Sequence, residues 1–312
     1  MIRTSDKIFV AGHRGMVGSA MLRALAARGF TNAVVAPRAA LDLRDEAATA
    51  DFLRRERPDV VVLAAARVGG IQANRRLPAD FLRDNLAIQT NVIHHAHAAG
   101  VRGLVFFGSS CMYPRECRQP MREDDLLTGP LEPTNEAYAV AKIAGLRMAQ
   151  AYQRQHGLDV VCPLPCNLYG PHDSFDLANA HVLSSLVKRF SDARAEGRDE
   201  VTLWGTGRAR REFLHVDDMA EAVVLLMQHW TSPEPVNVGS GTDVTIRALA
   251  DLVAEATGYA GRIAWDERMP DGMPRKCLDV SRLAALGFRP TVSLREGIAW
   301  TVDEYRRSLR PS

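Results

Sequence analysis

Tyr138 and Lys142 stand four residues apart in Tyr-Ala-Val-Ala-Lys. On a helix that spacing puts both side chains on one face. An ammonium beside a phenol favours the phenolate and lowers its pKa. Such a phenol exchanges a proton with an alkoxide near neutral pH, which is the acid–base half of a carbonyl reduction. Ser109 follows the apolar run 104–108. At the C-terminal end of a parallel strand its hydroxyl lines the ligand crevice and helps to hold a carbonyl oxygen. The Tyr–Lys spacing alone also describes a solvated pair on a helix surface. The strand-end serine and a glycine-rich turn upstream give it meaning.

That turn is Gly-His-Arg-Gly-Met-Val-Gly, with Gly12, Gly15 and Gly18 between the short apolar run 8–11 and the helically spaced segment 16–27. Glycines let the backbone approach a pyrophosphate closely, and the helix start offers free N–H groups and a positive dipole end. A tight turn without ligand is the alternative. The second strand, 33–36, runs into Pro37 and Arg38, where a site for NAD presents Asp or Glu to the ribose 2′-hydroxyl. Arg38 and Arg14 can bracket a 2′-phosphate instead, so the residues predict NADP(H). Asp42 is expected nearer the adenine than the 2′ position.

These residues need strands and helices in alternation. Helical spacing recurs at 48–54, 81–99 and 137–155, and continuous apolar runs at 60–66, 103–108 and 160–164 read as strands buried on both faces. The order predicts an α/β fold, a doubly wound parallel (Rossmann) sheet, with a smaller C-terminal α/β region. We expect residues 1–170 to bind the dinucleotide, with 212–240 returning to that domain, and 171–312 mainly to bind substrate. A helix over 217–229 is expected, with Asp217 as its N-cap.

Composition narrows the rest. Lys and Arg number 39 against 37 Asp and Glu, a formal net charge of +2, without the basic excess of a nucleic-acid binder. No stretch approaches the roughly 18 apolar residues of a membrane span, and no signal peptide is evident at the start, so the expected location is cytoplasmic. Cys111, Cys117, Cys162, Cys166 and Cys277 are odd in number and form no Cys-x-x-Cys pair, which predicts reduced thiols and no metal site.

With these motifs on the page, the chain resembles the extended short-chain dehydrogenases and, within them, the GDP-L-fucose synthase family. The stretches AGHRGMVGSA, AAARVGGIQAN, GSSCMYP, EPTNEAYAVAKIAG, NLYGPHD, REFLHVDDMA, NVGSG and PDGMPRKCLDVSRL carry the resemblance across residues 11–283. It implies NADPH-dependent epimerisation at C3 and C5 and reduction at C4 of a GDP-4-keto-6-deoxy-sugar, most directly GDP-4-keto-6-deoxy-D-mannose. Both epimerised carbons flank the ketone, so loss of either proton gives an enolate whose oxygen Tyr138 and Ser109 can stabilise. The resemblance implies Cys111 and His181 as the acid–base pair; a positive charge near Cys111 would favour its thiolate.

The resemblance further implies cofactor contacts from Gly12, His13, Arg14, Gly15, Met16, Val17 and Gly18, from Arg38, Asp42 and Leu43, from Lys142, and from Pro165, Asn167, Leu168 and His181. It implies substrate contacts from Arg189, Trp204, Arg211 and Asp279, and a homodimer with faces on the two long helices. The chain departs from the family at Cys166, where Thr is usual, at Ala39, where an acid is usual, and at Met112 and Met273. These departures leave cofactor class and mechanism intact but leave open a related GDP-4-keto-deoxy sugar, such as a 6-deoxy-heptose; a second alternative is a same-fold enzyme with half the chemistry. A third alternative, an NADP-sensing protein, has no use for a proton donor beside the nicotinamide.

Overall fold

The computed structural model describes residues 2–177, 180–269 and 271–309. In chain order the elements are β1 (Ile8–Ala11), α1 (Met16–Ala27), β2 (Ala33–Val34), α2 (Glu46–Glu56), β3 (Val60–Leu63), α3 (Ile71–Arg76), α4 (Pro78–Ala98), β4 (Gly103–Phe106), α5 (Glu136–His156), β5 (Asp159–Val161), β6 (Pro163–Pro165) and β7 (Asn167–Tyr169). They continue as α6 (Val182–Ala195), β8 (Glu200–Trp204), β9 (Arg210–His215), α7 (Val216–His229), β10 (Val236–Val238), β11 (Asp243–Thr245), α8 (Ile246–Thr257), β12 (Arg262–Asp266), β13 (Arg275–Lys276), α9 (Ser281–Ala285) and α10 (Leu294–Ser308).

Five parallel strands form the main sheet in the order β2-β1-β3-β4-β5. Every residue of β1, β3 and β4 is buried, as strands covered by helices on both faces must be. The chain leaves β1 toward β2 on one side and resumes at β3 on the other, so the order reverses between β1 and β3. A crevice opens at the C-terminal ends of strands at such a reversal. The two strand ends come very close there: a Cβ on Gly12, whose φ is +86°, would lie 2.7 Å from the Ala65 amide nitrogen. Only glycine satisfies both the left-handed backbone and that contact.

The apolar run 160–164 is two strands. The break falls at Cys162; β5 completes the main sheet, while β6 pairs with β10. Beyond it β7 pairs with β9, β9 with β11 and β13, and β8 with β12. The first hydrophobic core gathers the main sheet and α1 and takes in Val216, Met219, Val223 and Met227 of α7 together with Val236 and Val238 of β10. A second core lies under α6, α8 and α10, built on Leu186, Phe190, Leu249, Val253, Ile298 and Val302.

Local chemistry moved several boundaries. α2 begins at Glu46 because the Asp45 side chain accepts from the Ala48 amide at 3.0 Å. β2 stops after two residues, three positions short of Pro37, which has no N–H to offer a ladder. Asp217 is not the N-cap of α7: His215 is, its Nδ1 accepting from the Asp217 amide at 3.3 Å. Asp217 therefore sits in the first helical turn, where its charge suits the positive dipole end, and its carboxylate is occupied by Arg23.

Asp218, one residue on, is buried and joins the two cores. It accepts from the Thr291 amide at 3.0 Å, the Thr291 hydroxyl at 2.7 Å and the Val292 amide at 2.9 Å, fixing the chain just before α10. Asp218→Ala leaves those donors without a partner and should lower unfolding stability by about 3 kcal/mol. Urea unfolding checks this; a loss no larger than that of an exposed aspartate would show that water replaces the carboxylate.

Candidate active site

One cleft, of about 920 Å³, runs along the C-terminal ends of β1, β2, β3 and β4 and reaches the start of α6. The glycine turn, Gly12 to Gly18, forms its floor, Arg38, Asp42 and Leu43 its far wall, and Ser109, Cys111, Tyr138 and Lys142 its other end, with Pro165, Asn167, Leu168 and His181 closing over them. Residues separated by more than 160 positions thus share one cavity.

The floor fits a pyrophosphate. Gly15 turns its amide back to the Gly12 carbonyl at 3.0 Å, and the first turn of α1 carries no acidic side chain. The leading N–H groups of that turn have no intrahelical partner, as at any helix start. A Cβ on Gly18 would come within 2.2 Å of the Gly12 carbonyl oxygen, so the turn can be this tight only with glycine there. His13 leaves its Nδ1 buried without a hydrogen-bond partner among the described residues.

At the adenosine end, Arg14 and Arg38 both face the cleft and are exposed. Asp42 is claimed by Arg44, whose Nη2 lies 2.6 Å from it, and that guanidinium pulls the Asp42 carboxyl down to about 2. Arg38 stands 3.8 Å from the same carboxylate with most of its side chain in solvent. Arg44, not singled out from the sequence, therefore engages Asp42 and, with Arg67, the buried Asp84, and leaves Arg38 and Arg14 for a phosphate. A residue two positions from an aspartate carries no sequence signature of this role.

At the opposite end, α5 delivers Tyr138 and Lys142 on one face. Lys142 is buried at 4% exposure. Its ammonium donates to the Phe107 carbonyl at 2.9 Å and lies 5.9 Å from the centre of the Tyr138 ring. Burial pulls this lysine down to about 8. The expected lowering of Tyr138 does not occur. Burial pushes the phenol above its ordinary value, Cys111 adds to the rise, and a hydrogen bond with Ser109 opposes it. The ammonium is committed to the Phe107 carbonyl, so desolvation governs the tyrosine. The phenol keeps its proton at neutral pH, which suits a proton donor.

The turn after β4 sets the third group. Residues 110–112 form one turn of 3-10 helix, and the Ser109 hydroxyl accepts from the Cys111 amide at 3.2 Å. Cys111 is half-buried with its sulfur free of disulfide. Two groups that sequence reasoning missed donate to that sulfur: Asn135 Nδ2 at 3.1 Å and Lys276 Nζ at 3.5 Å. Asn135 precedes α5 directly, and its Oδ1 is buried without a partner among the described residues. Spacing gave no hint of Lys276, 165 residues away in sequence.

The remaining residues scatter more. His181 is exposed at the N-terminus of α6, beside Asp173, whose carboxyl burial pushes up while the Ser184 hydroxyl and His181 pull it down. Arg211 lies close enough to Cys111, Glu132 and Asp271 to feel their charges, and burial lowers it. Arg189 donates to Ser185 at 3.3 Å within α6, Trp204 is half-exposed at the end of β8, and Asp279 accepts from Arg122 at 3.2 Å. Those three, like Arg211, do not line the cleft.

Comparison with known proteins places this geometry. The model of the NAD dependent epimerase/dehydratase family matches residues 8–239. GDP-L-fucose synthase 1 of Arabidopsis thaliana is 54% identical over 98% of this chain and 94% of its own length. GDP-L-fucose synthase of Escherichia coli (strain K12) is 50% identical over 96% of each. Among solved structures, a GDP-mannoheptose C4 reductase from Campylobacter jejuni with NADP bound is 34% identical, with a TM-score of 0.89 over 98% of this chain and 100% of that one.

Arg38→Ala should raise the KM for NADPH about tenfold and leave that for NADH unchanged; equal effects on both would place Arg38 away from the 2′ position. Lys142→Met should abolish reduction and raise stability. A folded-state value below the unfolded one means the fold disfavours the lysine's proton, so wild type loses stability below about pH 8 and regains it as pH rises toward the ordinary lysine range. The variant should thus gain on the order of 2 kcal/mol at pH 7, fading above pH 8. Unfolding at pH 7 and pH 10 reads both signs.

Proposed function

The chain belongs to the NAD dependent epimerase/dehydratase family, and on that premise we propose that it epimerises C3 and C5 and reduces C4 of a GDP-4-keto-6-deoxy-sugar, converting GDP-4-keto-6-deoxy-D-mannose to GDP-L-fucose with NADPH. The observation that carries this reading is a cysteine set beside the reductive pair: the Cys111 amide donates to the Ser109 hydroxyl, and that hydroxyl is hydrogen-bonded to Tyr138. A simple ketone reductase has no need of a thiol there.

Gly12 to Gly18, Arg14, Arg38 and Lys142 would hold NADPH, which supplies the hydride. The protein's own groups do the rest. Cys111 takes the proton from C3 or C5, and the electron pair moves onto the C4 oxygen. Tyr138 and Ser109 donate to that oxygen and stabilise the enolate. His181 returns a proton to carbon from the other face. In the reductive step Tyr138 gives its proton to the C4 oxygen, and its raised value ensures that the proton is there to give. Lys142 stays fixed by Phe107 beneath the tyrosine.

Residues 171–312 mainly receive the GDP-sugar in this reading, with Arg189, Trp204, Arg211 and Asp279 as its contacts. The enzyme works in the cytoplasm as a homodimer joined through α4 and α5. A second reading, reduction of a related GDP-4-keto-deoxy sugar such as a 6-deoxy-heptose, draws on the likeness to the GDP-mannoheptose C4 reductase and on Met112, buried behind the thiol.

NADPH consumption with GDP-4-keto-6-deoxy-D-mannose in deuterated water tests the proposal. Wild type should yield GDP-L-fucose labelled at C3 and C5. Cys111→Ser should lose at least a hundredfold in label incorporation, in line with removal of a general base, while still oxidising NADPH. Incorporation at the wild-type rate in that variant sinks the role of Cys111; an unlabelled 4-reduced product from wild type selects the second reading.

A further inference from the structure

We propose that Lys276 is a positioning residue for the epimerisation half of the reaction, its ammonium serving as the counter-charge that holds Cys111 as a thiolate. The proposal rests on the assignment of Cys111 as the base.

Strand register brings the lysine there. β13 runs parallel to β9, with Arg275 opposite Arg210 and Lys276 opposite Arg211. Side chains alternate along a strand, and opposed residues share a face. On one face, Arg210 and Arg275 both grip the carboxylate of Asp243, which is almost fully buried. That clamp fixes the register of a strand only two residues long. The other face carries Arg211 with Lys276 opposite it on one side and Val244 on the other, and of these Lys276 reaches Cys111. Lys276 Nζ donates to its Sγ at 3.5 Å, and Arg211 feels the charge of Cys111.

The bonds at the sulfur fit an anion. Asn135 and Lys276 both donate to Sγ, and among the described residues no acceptor meets its S–H. A neutral thiol is a weak acceptor and wants an acceptor of its own; a thiolate accepts two donors well. Four further groups complete the surroundings: Tyr138 of α5, which is neutral, Arg211 of β9, and Asp271 and Glu132, whose charges both act on Arg211. Those two acids offset Arg211, so the cation left in contact with the sulfur is Lys276, as an activated cysteine requires. Cys117 makes the contrast: half-buried beside Asp125, it is pushed up to about 11 by burial and that carboxylate.

Alkylation by iodoacetamide, followed on the Cys111 peptide by mass spectrometry, tests this without substrate. At pH 7, Lys276→Met should slow alkylation of Cys111 about tenfold, with the wild-type rate recovered at higher pH. Lys276→Arg, which keeps the charge, should stay close to wild type and controls for folding, as does NADPH affinity, expected unchanged in both. Label incorporation at C3 and C5 should fall with alkylation in Lys276→Met and return in Lys276→Arg. An unchanged alkylation rate and pH profile in Lys276→Met overturns the proposal. Slower alkylation with incorporation at the wild-type rate overturns the catalytic role of both residues. Failure of wild type to incorporate label at all defeats the parent reading alone.

Discussion

Lys142 carries an ammonium into the protein on α5, and the carbonyl of Phe107 receives it at 2.9 Å. Burying a cation on a single neutral acceptor is unfavourable, and the lysine's drop to about 8 reflects that cost. The bond also fixes geometry. It ties the middle of α5 to the end of β4 and so sets Tyr138, one turn earlier on α5, against Ser109, two residues past Phe107. The Tyr138–Ser109 pair at the reactive end of the cleft takes its position from this contact. The glycine turn makes the complementary constraint at the other end, where Gly12 and Gly18 let β1, α1 and the residues after β3 crowd together.

Between those ends the charges are sorted. Arg14 and Arg38 face the adenosine end with the nearby acid Asp42 already taken by Arg44. Tyr138 and Ser109 form a neutral pair of donors at the point where an oxyanion develops, and such preorganised donors need no rearrangement when charge appears. Beyond them Lys276 supplies positive charge to a thiol. The cations thus gather at the two ends of the cleft, with the neutral donors between them.

The sequence was legible where the signal is local. The parallel sheet, α1 and the two long helices followed from periodicity, and the glycine turn, Arg14, Arg38, Tyr138 and Lys142 from residue types at short spacing; all of them meet in one cleft. Boundaries that depend on one side chain were not legible. Asp45 starts α2 early and His215 displaces Asp217 as a cap, because either residue can accept from an amide and only the backbone path decides which does. The apolar run 160–164 hid a change of sheet at Cys162, since strands buried on both faces have no alternation to break. α8 and α10 were missed although amphipathic, α8 lying between the short strands β11 and β12 and α10 following the short helix α9. Asn135, Arg44 and Lys276 were missed for a stricter reason: their roles exist only through partners brought together by topology.

The behaviour of Tyr138 shows why residue type is not yet mechanism. A lysine four residues along a helix implies a lowered phenol, and the pair does share a face. Yet the ammonium spends its hydrogen bond on Phe107, and burial leaves the phenol more firmly protonated. That outcome separates the two chemistries of the proposed reaction. A phenolate at this position could compete with Cys111 for a carbon-bound proton. A protonated phenol cannot; it can only stabilise and then protonate oxygen. The acid stays on the Ser109 side and the base on the Lys276 side, with Cys111 two residues beyond Ser109 in one turn of 3-10 helix. That tight turn thus sets the base for carbon beside the Ser109 hydroxyl, which in turn meets the acid for oxygen, Tyr138 of α5, and their opposite electrostatic surroundings keep the two roles from exchanging.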